Sequence, residues 1–360
     1  VLLLISLLSF LLPFQLAHHF NSFPSAVYGF KIDYLIPTLY LTDIFAFLII
    51  LKGLENIKLK KNNFVVFLLF LTFVVINVLI SANITASLYR WIKILEMILL
   101  GIVIFKTKKF KVYNHFLKPL SYSVVLSTVL GILQFLNKGS LGSIFYWLGE
   151  RSFNFTDPNI APYPYATFSH PNSFAGFLLV FGILIIQYRK KFNLKYFWLL
   201  VSLIFTNLIL TNSLNVYITV VLILLLKYYK KLSLGLFVID FNQRFISHRI
   251  ELIQASLKII KDHFMLGVGL NNFIPNLVKV SNKFINAWEL QPVHNIFLLV
   301  FSETGIIGLS LFMYLIISSV TVTNYGLIAI LLTGLSDHYW ITLQQNLLLF
   351  TYVMVISKKQ

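Results

Sequence analysis

The chain has 360 residues, of which 58% are hydrophobic and 11% charged, where a soluble domain carries roughly a quarter charged residues. That balance excludes an ordinary soluble globular protein and places the chain among polytopic membrane proteins. The net charge of +17 does not indicate nucleic-acid binding, because Lys and Arg fall in short clusters between apolar runs and no basic face with interleaved aromatics is present. The absence of cysteine removes disulfides, thiolate metal sites and Cys nucleophiles.

In chain order, apolar runs predict spans at about 1–17, 35–51, 64–80, 89–105, 119–136, 173–188, 196–211, 214–226, 294–318, 323–336 and 340–356. The expected fold is all-α: a polytopic membrane bundle of about 11–12 transmembrane helices with a partly helical extracytoplasmic loop. Val1–Leu12 reads as part of a span, not a signal peptide, since no small-residue cleavage site follows it. The chain begins at Val1 inside an apolar run, so a preceding segment is expected.

The loops sort by basic content. One set holds Lys52, Lys58, Lys60 and Lys61; Lys106, Lys108, Lys109, Lys111 and Lys118; Arg189, Lys190, Lys191 and Lys195; Lys227, Lys230 and Lys231; and Lys358 and Lys359. The alternate loops, 18–33, 81–88, 137–172, 212–213 and 337–339, hold only Lys31, Lys138 and Arg151. The positive-inside rule makes the first set cytoplasmic. Continuing the count places 240–293 outside, which requires "LSLGLFVID" around 232–239 to cross, although eight helical residues reach only ~12 Å. The organisation read from this pattern is 1–239, N-terminal spans with the outer loop 137–172; 240–293, an extracytoplasmic loop; and 294–360, C-terminal spans. Within the second loop, "RIELIQASLKIIKDHF" spaces Ile250, Ile253, Leu257, Ile260 and Phe264 as one face of an amphipathic helix, and "LGVGLNNF" ends it in a glycine-rich turn.

Chemistry-bearing residues collect at the outer ends of spans. His294 opens the last long apolar run at the water–membrane boundary, where an imidazole suits proton transfer near neutral pH; an interfacial helix cap is the plainer alternative. Asn295 beside it could orient a ring or a sugar hydroxyl. Glu303 lies deeper, where a carboxylate is either functional or buried with a partner, and Gly305 lets the helix break or another backbone approach. In "ATFSHPNSFAGF", His170, Pro171 and Asn172 end the first outer loop. Pro171 fits a first helical turn, with Asn172 or Ser169 as its cap, and such an N-terminus suits a phosphate. Arg244 and Arg249 sit at the start of the amphipathic helix and match phosphate oxygens, with lipid-phosphate snorkelling as the alternative. Arg90, Lys93 and Glu96 share one face of a span and read as structural pairing. Asp43, Asp337 and His338 also read as structural. No P-loop, GxGxxG, HExxH or paired-acid metal motif occurs, so no metal site and no cofactor is expected.

With those residues in hand, the chain resembles the O-antigen ligase/polymerase family. The resemblance is carried by "ATFSHPNSFAGF", "HRIELIQASLKIIKDHFMLGVGLNNF" and "HNIFLLVFSETGIIGL", with "DYLIPTLYLTD" and "GLSDHYWITLQQNLLLF" at the two ends. It implies a GT-C-like, metal-independent membrane glycosyltransferase of the bacterial cytoplasmic (inner) membrane, active on its outer face. The donor would be a glycan on undecaprenyl diphosphate; the acceptor a glycan, lipid or protein. The family's outer-loop His falls on His294 and its helix-start Arg on Arg249. His294 is then the expected catalytic residue, with Arg249, Arg244, Arg151, His170, Asn172, Asn295 and Glu303 binding diphosphate or substrate. Two departures are visible: Tyr163 and Leu214 stand where members commonly carry arginines. A flippase for the same lipid-linked glycan and a divergent inactive member are the alternatives. The gathering of polar residues in outer loops, not along a midplane cavity, favours transfer.

Overall fold

The computed structural model describes residues 1–55, 61–157, 160–228, 243–281, 284, 286–320 and 324–359, with backbone alone at 61–64, 66, 228 and 243–246. The expected crossing at 232–239 lies outside the described residues.

The described chain is helical with two small hairpins. It runs α1 (Leu2–Leu11), β1 (Ala17–His19), β2 (Ala26–Val27), β3 (Phe30–Lys31), β4 (Thr38–Tyr40), α2 (Leu41–Leu54), α3 (Lys61–Leu79) and α4 (Ile84–Lys106). A π-helical turn at Tyr113–Leu117 leads into α5 (Lys118–Asn137), and a 3-10 turn at Ser143–Leu148 follows. Next come α6 (Pro171–Gln187), α7 (Leu194–Thr211), α8 (Leu214–Tyr228), α9 (Gln243–Asp262), α10 (Phe273–Val280), α11 (Ile296–Ile317), α12 (Tyr325–Gly334), α13 (Tyr339–Thr342) and α14 (Gln344–Lys359). β1 pairs antiparallel with β4, and β2 with β3. The apolar runs thus form helices close to the expected positions. The hairpins inside 17–40 were not expected, because strands of two or three residues carry no usable period.

By length and composition alone, Tyr113–Asn137, Leu194–Thr211 and Ile296–Ile317 are long and apolar enough to cross a membrane, although the last is broken at Gly305, and five further apolar helices are shorter. One core joins α1, α2 and α4–α8 with α12 and α14 and buries Phe116, Phe174, Phe177, Trp340 and Tyr352; Phe116 and Tyr352 stack at 4.2 Å. A second core, over one end, joins α9, α10 and the start of α11 through Leu252, Ile259, Phe273, Leu277, Phe284, Val293 and Leu299. Leu68, Leu69, Val75 and Ile76 of α3, with Phe205 and Ile209 of α7, are exposed, as a lipid-facing surface requires.

The buried charges at Asp43 and Lys93 are paired inside the bundle. Lys93 of α4 meets Asp43 of α2 as an ion pair, with Glu96 3.9 Å away. Asp43 also accepts from the Tyr40 N–H at 2.7 Å and from Gln344 Nε2 at 2.6 Å. The charges on α4 are therefore neutralised mainly across helices, not along one face as the i, i+3 spacing suggested.

α11 does not run straight. Gly305 has φ +64° and ψ −169° within it. The rings of Phe297 and Phe312 lie 6.1 Å apart, although fifteen residues of straight helix would separate their Cα atoms by about 22 Å. The two halves therefore fold back toward each other at Gly305. The backbone groups freed by the break are taken up by the turn after α9. Val268 N–H donates to Ser302 O and Gly269 N–H to Glu303 O, both at 3.0 Å, while Ile306 N–H donates to Phe264 O at 2.9 Å. Asn77 Nδ2 of α3 donates to Leu266 O at 2.8 Å and to Glu303 O at 3.0 Å. A break in an apolar environment is tolerated when its polar groups are satisfied this way.

α9 corrects one expectation. The helix forms, but of the expected face only Ile260 is buried while Ile250, Ile253, Leu257 and Phe264 are exposed, whereas Leu252, Ala255, Ser256 and Ile259 are buried. The segment carries two apolar faces, and spacing alone selected the outer one.

A Cβ at Gly305 would strike Met265 O and one at Gly267 would strike the Glu303 backbone; both glycines have positive φ. Gly305→Ala or Gly267→Ala should each cost ~2–4 kcal/mol, lowering the melting temperature in detergent. Gly182→Ala, where the added carbon meets only Ile204 at 3.6 Å, should leave it unchanged or slightly raised.

Candidate active site

The site forms where three chain segments meet at one end of the bundle. His294 precedes α11, whose N-cap Asn295 accepts from Phe297 N–H (2.9 Å) and Leu298 N–H (3.0 Å) and donates to Leu335 O (3.0 Å). That last bond ties the start of α11 to the end of α12 and sets His294 against the Asp337–His338 turn. His294 Nδ1 lies 3.6 Å from Asp337 Oδ1, an ion-pair distance, longer than a hydrogen bond. His294 Nε2 is 3.2 Å from Gln291 Oε1, and the His294 and His338 rings are 5.1 Å apart. Asp337 Oδ1 accepts the His338 N–H at 2.8 Å, and His338 Nδ1 meets Thr342 Oγ1 at 2.8 Å. The Tyr34 ring packs edge-on against His338 at 5.6 Å, bringing the segment between β3 and β4 to the same spot.

Burial disfavours charge on Asp337, but the His294 ring beside it, then His338 and His170, outweigh burial and hold the carboxyl below its usual range. Burial, followed by His294, pushes His338 down to about 3. The buried pair is therefore carboxylate plus neutral imidazole at neutral pH, and the free Nδ1 of His294, buried without a hydrogen-bond partner, faces that carboxylate.

The first outer loop supplies a second wall. His170 is the N-cap of α6, its Nδ1 accepting from Asn172 N–H at 3.1 Å; the structure thus replaces the expected caps Asn172 and Ser169 with the histidine. His170 is exposed to solvent. Asp337, His294, Arg151 and Arg249 all lie within electrostatic reach of it. Arg151 Nη1 donates to Ser169 O at 3.0 Å and lies over the Tyr165 ring. Arg249, on the first turns of α9, is also within reach of His338.

The structure therefore brings His294, His170, Arg151 and Arg249 together. The Arg244 side chain lies outside the described residues. Asn172 contributes a backbone N–H at this edge. Asn295 spends its side chain on capping α11 and holding Leu335. Glu303 takes the second of its two expected readings: nine residues beyond His294, ~13 Å along α11, it is buried and its Oε1 accepts the Phe273 N–H at 3.1 Å at the start of α10. It closes a helix N-terminus and is not part of the histidine cluster. Asp337 and His338 are the reverse case. They read as structural from sequence, yet they stand beside His294, as does Gln291. Their one signal was an Asp–His pair at a span end on the same expected side as His294; the contact itself joins segments forty residues apart.

His294, Asp337 and His338 offer ligand atoms within 4.8 Å of one another. A tetrahedral ion with bonds near 2 Å needs them about 3.3 Å apart, and His338 Nδ1 already meets Thr342. These three would hold an ion only after contracting.

His338 stays neutral in the fold but protonates near 6.5 when unfolded. Between those values the unfolded chain binds the extra proton, so stability falls as pH drops from about 6.5 toward 4. His338→Gln should flatten this fall by up to ~1.4 kcal/mol per pH unit, read as melting temperature against pH.

Compared with known proteins, residues 165–313 match the family model described as O-antigen ligase. No curated protein and no solved structure matches the chain. The matched stretch runs from just before α6 to the second half of α11 and contains His170, Arg249 and His294, while Arg151 and Asp337 lie outside it. On that match the central part of this apolar helical chain is similar to the O-antigen ligase family.

Proposed function

We propose that the protein transfers a glycan from undecaprenyl diphosphate to an acceptor hydroxyl, at the outer face of a bacterial cytoplasmic membrane and without a metal ion. The observation that carries this reading is His294 Nδ1 facing the buried Asp337 carboxylate at 3.6 Å, with the exposed His170 within electrostatic reach of both, and Arg151 and Arg249 within reach of His170.

In the proposed reaction the acceptor oxygen attacks the anomeric carbon and its proton passes to His294 Nε2. The bond from that carbon to the diphosphate oxygen breaks, and the electron pair leaves with the polyprenyl diphosphate. Asp337 faces Nδ1, so it orients the ring and stabilises the imidazolium that forms. The 3.2 Å contact of Nε2 with Gln291 Oε1 suits that protonated ring; in the neutral ring Nε2 is free to accept. Arg249 and Arg151 offset charge on the leaving diphosphate. They supply cations where Tyr163 and Leu214 depart from the family pattern.

The test is reconstitution with an undecaprenyl-diphosphate glycan and candidate acceptors, reading released diphosphate lipid. His294→Ala should lower the rate ~100-fold or more. Asp337→Asn should lower kcat by a smaller factor at little change in KM, and Arg249→Gln should lose more than Arg249→Lys. EDTA should leave the rate unchanged. Full release by His294→Ala, or no release with any acceptor, would contradict the proposal.

A further inference from the structure

α9 lies over the helix bundle with a face that nothing in the described chain covers. At about 100° per residue, Leu252, Ala255 and Ile259 cluster on one side and are buried in the second core. Ile250, Ile253 and Leu257 cluster on the other and are exposed, Leu257 by more than half. Phe264 and Met265, in the turn beyond the helix, continue that exposed stripe. In water such a stripe is unfavourable, at roughly 25 cal/mol per Å² of apolar surface.

The level at which the stripe lies indicates what covers it. Asn77, in the last turn of α3, bonds Leu266 O and Glu303 O, and Asn83 N–H, just before α4, bonds Asn272 Oδ1 at 2.6 Å. The turn after α9 is therefore level with the ends of α3 and α4. Ile80 lines, with Lys261, Phe264 and Met265, a groove of about 610 Å³. Ile80, exposed just beyond the end of α3, thus shares a groove with Phe264 and Met265 at the end of the α9 stripe. Lys258 and Lys261 are exposed on the same helix, a charge pattern suited to anionic headgroups.

We propose that α9 is an in-plane membrane helix, its Ile250–Ile253–Leu257 stripe and the Phe264–Met265 turn immersed in the headgroup–acyl boundary of the leaflet on the site's side. The partner is the lipid bilayer itself. Arg249 falls on the helix between the buried and the immersed faces, about 60° from Leu252 and about 40° from Ile253. For a lipid-borne diphosphate, as the proposed reaction requires, the guanidinium then meets the phosphates from within the plane of the membrane. Only that last consequence rests on the proposed chemistry.

The chain has no cysteine, so single nitroxide labels test the placement directly in the full chain reconstituted in phosphatidylglycerol–phosphatidylcholine vesicles. Labels at Ile253→Cys and Leu257→Cys should collide several-fold more with oxygen, relative to a water-soluble nickel chelate, than labels at Gln254→Cys and Asp262→Cys. Equal ratios at all four positions would overturn the proposal. So would a Leu257→Cys label that collides with neither reagent and shows label–label broadening, which would mark a second copy of the chain. The readout is collision frequency, so it stands or falls separately from any transfer assay.

Discussion

The break at Gly305 is the constraint on which the site depends. A helix interrupted within an apolar bundle exposes carbonyls and an N–H that no lipid can satisfy. Here the turn at 264–269 supplies those partners: two of its N–H groups and one of its carbonyls close the ladder that α11 leaves open. Only a glycine tolerates both the positive φ and the approach of Met265 O at that point. The same contact thus bends α11, fixes α9 against it, and carries Asn77 of α3 into the junction. With the first half of α11 folded back, its N-cap reaches Leu335 and sets His294 beside Asp337.

The electrostatics of the site follow from that placement. Asp337 and His338 are nearly sealed from solvent, while His170 is exposed. A buried carboxylate is costly unless a partner offsets it, and the His294 ring fills that role without making a close hydrogen bond. The arrangement leaves one ring beside a fixed negative charge, with two arginines within electrostatic reach of the neighbouring His170. The intramembrane ion pair of Lys93 and Asp43 serves a different purpose: joined by Gln344, it locks α2, α4 and α14, two residues from the Thr342 that holds His338.

Much of this was legible in the sequence, and the limits have physical causes. Long apolar runs announce helices because composition alone decides them. Gly305 announced either a helix break or a close backbone approach, and both occur. Local spacing could not report which of two apolar faces of α9 would be buried, since Leu252, Ala255 and Ile259 are as periodic as Ile250, Ile253 and Leu257. Nor could it show that Glu303 would face the start of α10 or that Asp337 would face His294. Both outcomes depend on contacts between segments thirty or more residues apart, made only once α11 bends.

The bend itself is open to a direct distance measurement. Cysteines placed at Phe297 and Phe312 of this otherwise cysteine-free chain can be spin-labelled and their separation measured in reconstituted membranes. A folded-back α11 predicts a label separation well under the about 22 Å of a straight helix. A distance at or above that value would mean that α11 crosses as one rod, and the geometry that brings His294 to Asp337 would be wrong.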